Sequence, residues 1–134
     1  MVSRILVLFG VMMLLAQTSF AQLFIDKPAF TRADTLRGLL TPLRTCYDVT
    51  YYHLDVTIDT ASQSITGSVQ IQFKVVNDFD RMQIDLFENM KVEKVVYKNK
   101  PASFARECNA VFIQLPEQLK RDTREEITVY YSGK

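Results

Sequence analysis

The stretch from Tyr47 to Val76 reads YDVTYYHLDVTID (47–59), TASQ (60–63) and SITGSVQIQFKVV (64–76). Its two long segments alternate in polarity with a period of two, the signature of half-buried β-strands. In the first segment Tyr52, Leu54, Val56 and Ile58 share one face, and Tyr51, His53, Asp55, Thr57 and Asp59 the other. In the second, Ile65, Val69, Ile71 and Phe73 oppose Thr66, Ser68, Gln70, Gln72 and Lys74. Closing the loop with Thr60–Gln63 sets Asp59 across from Ser64, Ile58 from Ile65, Leu54 from Val69 and Tyr52 from Ile71. Burial of that apolar face is expected to hold the register, because a one-residue slip exchanges the faces. Gly67 then lies across from Val56, where a missing side chain predicts a bulge or a close backbone approach.

Strand signals recur along the rest of the chain. Asn77-Asp78-Phe79-Asp80 supplies turn chemistry, and Met82–Leu86 alternates strictly. Met90–Tyr97 predicts a fourth strand whose alternation breaks at Val95-Val96. Lys98–Pro101 reads as a hairpin loop, followed by short strands at Ala102–Glu107 and Ala110–Leu115 with a turn at Cys108-Asn109. Pro116–Glu126 reads as a charged loop with one helical turn at Glu117–Lys120, and 127–131 (ITVYY) as the last strand. This pattern predicts an all-β fold: an antiparallel β-sandwich or saddle of about seven or more strands. The last strand is apolar and aromatic and has nothing after it to cover its edge, so the fold is expected to be incomplete at its carboxy terminus.

Upstream, residues 1–21 combine Arg4, an apolar run from Ile5 to Ala16 and the small-x-small sequence Ser19-Phe20-Ala21. This is the pattern of a secretory signal peptide cleaved near Ala21. The run is shorter than the roughly 20 residues of a membrane span, which argues against a permanent anchor. Gln22 rather than Cys after the cut argues against a lipoprotein. The expected location is periplasmic or extracellular. Residues 22–45 read as an extended leader, with Asp34 or Thr35 capping a short turn limited by Gly38 and Pro42. Residues 46–134 form the β domain.

The 134-residue chain has 16 basic and 15 acidic side chains, and Arg4 is the one charge in 1–21. The remainder is balanced and its signs are interspersed, so nothing marks a nucleic-acid partner or an anionic membrane. Cys46 and Cys108 are the only cysteines. In an oxidising compartment a bridge and two free thiols are both open to them.

The chemical inventory is short. His53 is the sole histidine, whereas a catalytic zinc takes about three protein ligands. It reads as a hydrogen-bonded surface residue beside Tyr51, Asp55 and Asp59. Asp78 and Asp80 suit a turn, and Glu125-Glu126 with Arg121 and Arg124 a solvated loop. There is no H-E-x-x-H, no G-x-S-x-G and no phosphate-binding glycine loop. No catalytic, cofactor-binding or metal residue is assigned.

A set of motifs in order resembles a known family. Ala33–Gly38 (ADTLRG), Arg44–Tyr52 (RTCYDVTYY), Ile65–Val69 (ITGSV), Gln83–Leu86 (QIDL), Asn109–Val111 (NAV) and Tyr130–Gly133 (YYSG) together look like the amino-terminal domain of the aminopeptidase N family. These are gluzincin metallopeptidases that include leukotriene hydrolases. The leader and the RTCYDVTYY run look most like exported bacterial members of Bacteroidetes type, and the likeness runs from about Phe30 to Lys134. The resemblance implies a saddle-shaped scaffold that precedes a thermolysin-like catalytic domain. In that domain the family carries G-x-M-E-N and H-E-x-x-H motifs. Two His and a downstream Glu bind zinc, and the motif's Glu serves as general base in removing amino-terminal residues from peptides. None of those motifs has a counterpart here. The implied partners are therefore the catalytic domain, missing from this chain, and the full enzyme's peptide substrates, with zinc belonging to the full-length family. The alternative is a stand-alone secreted β-sandwich that binds a peptide or glycan, with Tyr51, Tyr130 and Tyr131 as its aromatic platform. A third reading is a gene remnant that aggregates through bare strand edges.

Overall fold

The computed structural model describes residues 29–134. The expected signal peptide and the first part of the leader lie outside the described residues. From Thr31 onward the chain forms α1 (Arg32–Gly38), α2 (Pro42–Thr45), β1 (Tyr47–Asp59), β2 (Ser64–Val75), β3 (Phe79–Asp85), β4 (Met90–Tyr97), β5 (Lys100–Glu107), β6 (Ala110–Leu119) and β7 (Arg124–Gly133). The strands make one antiparallel sheet in the order β1-β2-β7-β4-β5-β6-β3. It curls into a half-barrel, so the saddle is the form the all-β fold takes.

The β1–β2 register is the expected one, with Asp59 across from Ser64, Leu54 from Val69 and Val56 from Gly67. The connecting loop is held by Asp59, whose carboxylate accepts from the Ala61 and Ser62 amides at 2.9 and 3.3 Å and from the Ser62 hydroxyl at 2.6 Å. The bulge lies at Thr50, where the pairing skips from Val49–Phe73 to Tyr51–Gln72. One extra residue shifts the phase of β1, so odd-numbered Tyr47 and Val49 share a face with even-numbered Tyr52 and Leu54. A second skip, at Glu93, brings Val92 and Val95 to one side of β4. It accounts for the broken alternation there.

Gly67 is the site of a close approach. A Cβ at this position would overlap the Asp55 carbonyl oxygen and sit 3.2 Å from Val56 Cα. These are backbone atoms that no rotamer change can move. Gly67→Ala is therefore expected to push β1 off β2 and to cost roughly 1–3 kcal/mol. Urea unfolding measures the loss, and amide exchange should show it concentrated at residues 54–58.

The core fills the curl. Phe73, Val75, Met82, Tyr97, Val111, Ile113, Ile127 and Val129 are almost completely buried there. Tyr47, Phe73 and Phe79 form a cluster of rings with centroids 5.6–6.3 Å apart. The Tyr47 hydroxyl donates to the Gln83 carbonyl at 2.7 Å and so ties the base of β1 to β3.

Five expectations are corrected. The last strand is no bare edge, because β7 is paired on both sides, by β2 and β4. The described part of the leader is not extended but carries α1 and α2. Thr31, not Asp34 or Thr35, caps α1; Asp34 completes a reciprocal capping box with it. Pro116–Leu119 continues β6, and the charged loop shrinks to a turn at 120–123. Pro116 is tolerated because the β3–β6 pairing is irregular between Phe79 and Arg81, so the ladder there does not need its missing N–H. Gln83, on the nominally outward face of β3, is buried, because α1 lies over it and its amide nitrogen donates to the Leu36 carbonyl at 3.2 Å.

Candidate functional site

The long arms of the first hairpin outrun the core. At about 3.3 Å per residue, the 13 residues of β1 and 12 of β2 extend much farther than the 7 of β3. Nothing described covers the surplus. Leu54 is 63 % exposed and Ile58 68 % exposed, and Tyr52, Val56 and Ile65 are also exposed, though less so. The expectation that burial fixes this register fails for the distal half of the hairpin. Ladder pairing and the Asp59 loop hold it there instead.

This uncovered face forms one side of a groove of about 890 Å³. Val69, Ile71, Val129 and Tyr131 line it from β2 and β7, and Ile84 and Leu86 close its far side. One end is polar. The Arg44 guanidinium donates to the Leu36 carbonyl at 2.6 Å and pairs with the Asp85 carboxylate at 2.6 Å. Arg44 Nε and Gln83 Oε1 are buried there without a hydrogen-bond partner. Burial pushes the Tyr47 hydroxyl up to about 12. A groove of this kind takes up apolar surface; it holds no nucleophile with an adjacent base.

The residues singled out in the sequence do not assemble into a reaction centre. His53 stands on the opposite, convex face beside Gln70. It is exposed, with no hydrogen bond to a described residue, contrary to expectation. Tyr51 and Tyr130 are also convex but several rungs apart, across from Gln72 and Ser68. Tyr131 turns to the groove, so the three tyrosines share no platform. Lys94 lies 4.1 Å from the Tyr130 ring centroid. Asp78 works as a turn latch, accepting from Lys120 Nζ at 2.9 Å and the Arg121 amide at 2.8 Å. Glu125 and Glu126 are strand residues rather than a solvated loop. Glu126 accepts from Gln70 and Gln72, and Glu125 from the Tyr97 hydroxyl at 3.0 Å. Cys46 is buried and Cys108 exposed, and both thiols are free.

Zinc finds no suitable donor set among the described residues: no three His, Cys, Asp or Glu side chains converge there as a metal site would require. The residues present do not fit the ion. No helix among them is long and apolar enough to cross a membrane.

A structural clamp beside the groove's strands also escaped the sequence reading: Arg106. Its guanidinium donates to the carbonyls of Leu86 (2.5 Å), Met90 and Cys108 (2.9 Å). It thereby pins the β3–β4 connection to the β5–β6 turn. Asn109 adds two more bonds, its carbonyl accepting from the Leu86 amide and its side chain from the Glu88 amide, both at 2.8 Å.

No family model and no curated protein matches the chain. Solved structures match in fold. An M1 zinc metallopeptidase mutant from Deinococcus radiodurans aligns with a TM-score of 0.61 at 18 % identity, over 67 % of this chain and 21 % of its own. A two-domain M1 zinc metallopeptidase mutant bound to L-arginine aligns at 0.59 and 19 % identity, over the same shares. Leukotriene A4 hydrolase from Saccharomyces cerevisiae aligns at 0.52 and 16 % identity, over 64 % of this chain and 15 % of its own. The fold is that of the amino-terminal domain of such peptidases, and the chain spans about a fifth of the length of the first two.

Proposed function

We propose that this chain is the amino-terminal scaffold domain of an exported zinc-dependent aminopeptidase of Bacteroidetes type, whose catalytic zinc domain lies outside these residues. The observation that carries the reading is the correspondence between this curled seven-stranded sheet and about a fifth of M1 zinc metallopeptidases. The family-like motifs, in the order Ala33–Gly38 to Tyr130–Gly133, support it independently. In this role the chain performs no bond chemistry. Its apolar groove is the surface on which the rest of the polypeptide packs, so that the sheet walls off a site open only to peptide ends. Export through residues 1–21 would place the enzyme in the periplasm or outside the cell, where it would act on peptide substrates.

The test is the nucleotide sequence downstream of the Lys134 codon, followed by expression of what it encodes. The expected result is an open frame that reaches G-x-M-E-N and H-E-x-x-H. Its product should release amino-terminal residues in a chelator-sensitive way, while the 134-residue chain releases none. A stop codon directly after Lys134 sinks the reading. The same apolar groove, with its polar end at Arg44 and Gln83, then favours the second reading, a secreted binding module for apolar peptides.

A further inference from the structure

We propose that β1 pairs edge to edge with β1 of a second copy, antiparallel and centred on Leu54. The proposal does not depend on the peptidase reading.

Among the described residues β1 is an edge strand with a neighbour only on its β2 side. Along an antiparallel strand every second residue turns its N–H and C=O outward, so the outer row of this edge is open to a partner. Edge strands in soluble proteins are commonly blunted by Lys, Pro or a covering element. Thr50 supplies a bulge near the base, but the rest of β1 contains no Lys, Arg or Pro. The opposite edge, β3, is treated differently. It carries Arg81 and its Asp85 is locked to Arg44, and α1 and α2 lie against it.

The sequence of β1 supplies the partner. About Leu54 the window Tyr51–Thr57 is self-complementary when a second copy runs antiparallel. Leu54 meets its own counterpart. Tyr52 meets Val56 and Tyr51 meets Thr57, the aromatic and β-branched combinations that stabilise cross-strand neighbours. His53 meets Asp55 twice by symmetry, so the two acidic groups of the paired windows each face an imidazole instead of another carboxylate. A two-fold axis perpendicular to the sheet keeps the faces aligned, as an isologous contact requires. The exposed Tyr52, Leu54 and Val56 of both copies then form one continuous apolar stripe. A single strand against a single strand is smaller than a permanent interface, so the association is weak and depends on concentration.

Sedimentation of the full 134-residue chain up to submillimolar concentration tests this, with two exposed convex-face variants. His53→Asp sets a carboxylate against Asp55 of the other copy, a like-charge contact that occurs twice and should weaken the dimer about tenfold or more. Asp55→Lys removes the carboxylate that faces each His53 and should weaken the dimer by less. Mixing the two variants in equal amounts should restore dimerisation. In the mixed pair the introduced aspartate of one chain faces the introduced lysine of the other, and the unchanged Asp55 of the first faces the unchanged His53 of the second. A wild-type chain that stays monomeric overturns the proposal, as does a dimer indifferent to both variants. Amides on the outer edge of β1 that gain protection only in the product of a longer reading frame would assign the edge to that polypeptide and likewise overturn self-pairing.

Discussion

Phe73→Ala is expected to destabilise the domain by about 3–5 kcal/mol, the range for removing a large ring from a packed core. The ring is completely buried and touches both other members of the aromatic cluster, Tyr47 at 5.6 Å and Phe79 at 6.2 Å between centroids. These three residues come from β1, β2 and the start of β3, so the cavity would open where the sheet curls back on itself. Collapse around it is limited, because Tyr47 is fixed by its bond to the Gln83 carbonyl. Single domains have total stabilities of about 5–15 kcal/mol, and a loss of this size leaves the variant marginal at room temperature. Guanidinium unfolding followed by far-ultraviolet circular dichroism measures it. A change below about 1 kcal/mol, the scale of a conservative core swap, would mean that this cluster is not what closes the curl.

Arg106→Ala is expected to cost about 2–4 kcal/mol. Hydrogen bonds to a charged donor are worth about 1.5–3 kcal/mol, and carbonyls left without partners pay again in desolvation. Leu86 and Met90 are half-buried, so water replaces the guanidinium only in part. Arg106→Lys separates charge from geometry. A single ammonium cannot span three carbonyls as the planar fork does, so lysine should recover less than half of the loss. Full recovery would show that the charge alone matters. The effect should appear first as faster amide exchange at Leu86, Glu88 and Met90, with the β1–β2 hairpin unchanged.

Much of the architecture was legible because it rests on period-two alternation. The β1–β2 pairing could be written out residue by residue from Tyr52 to Ile71, and the fourth strand had its observed bounds. What failed depended on contacts distant in sequence. Nothing local marks Gln83 as buried, since the helix over it comes from 47 residues upstream. Polar composition suggested a loop from Pro116 to Glu126, yet Glu125 and Glu126 are held in a strand by partners on β2 and β4. Of the two expectations at Gly67, a bulge or a close backbone approach, the close approach is the one found. The bulge lies at Thr50, and its trace in the sequence is the consecutive pair Tyr51-Tyr52, where the apolar face of β1 moves from odd to even positions. The groove was missed for a simple reason. Alternation says which residues share a face but not whether anything lies over it.

The Thr50 bulge also divides β1 into two dynamic regimes. Tyr47 and Val49 pack their side chains on the core, so this part of the strand leaves the sheet only when the core itself opens. Beyond the bulge the strand is held by one ladder and a four-residue loop, and its openings are local and far less costly. Proteases sample such openings. Limited digestion of the native protein should therefore cut first between Tyr51 and Ile65, leaving a nicked sheet whose two pieces remain associated through the core.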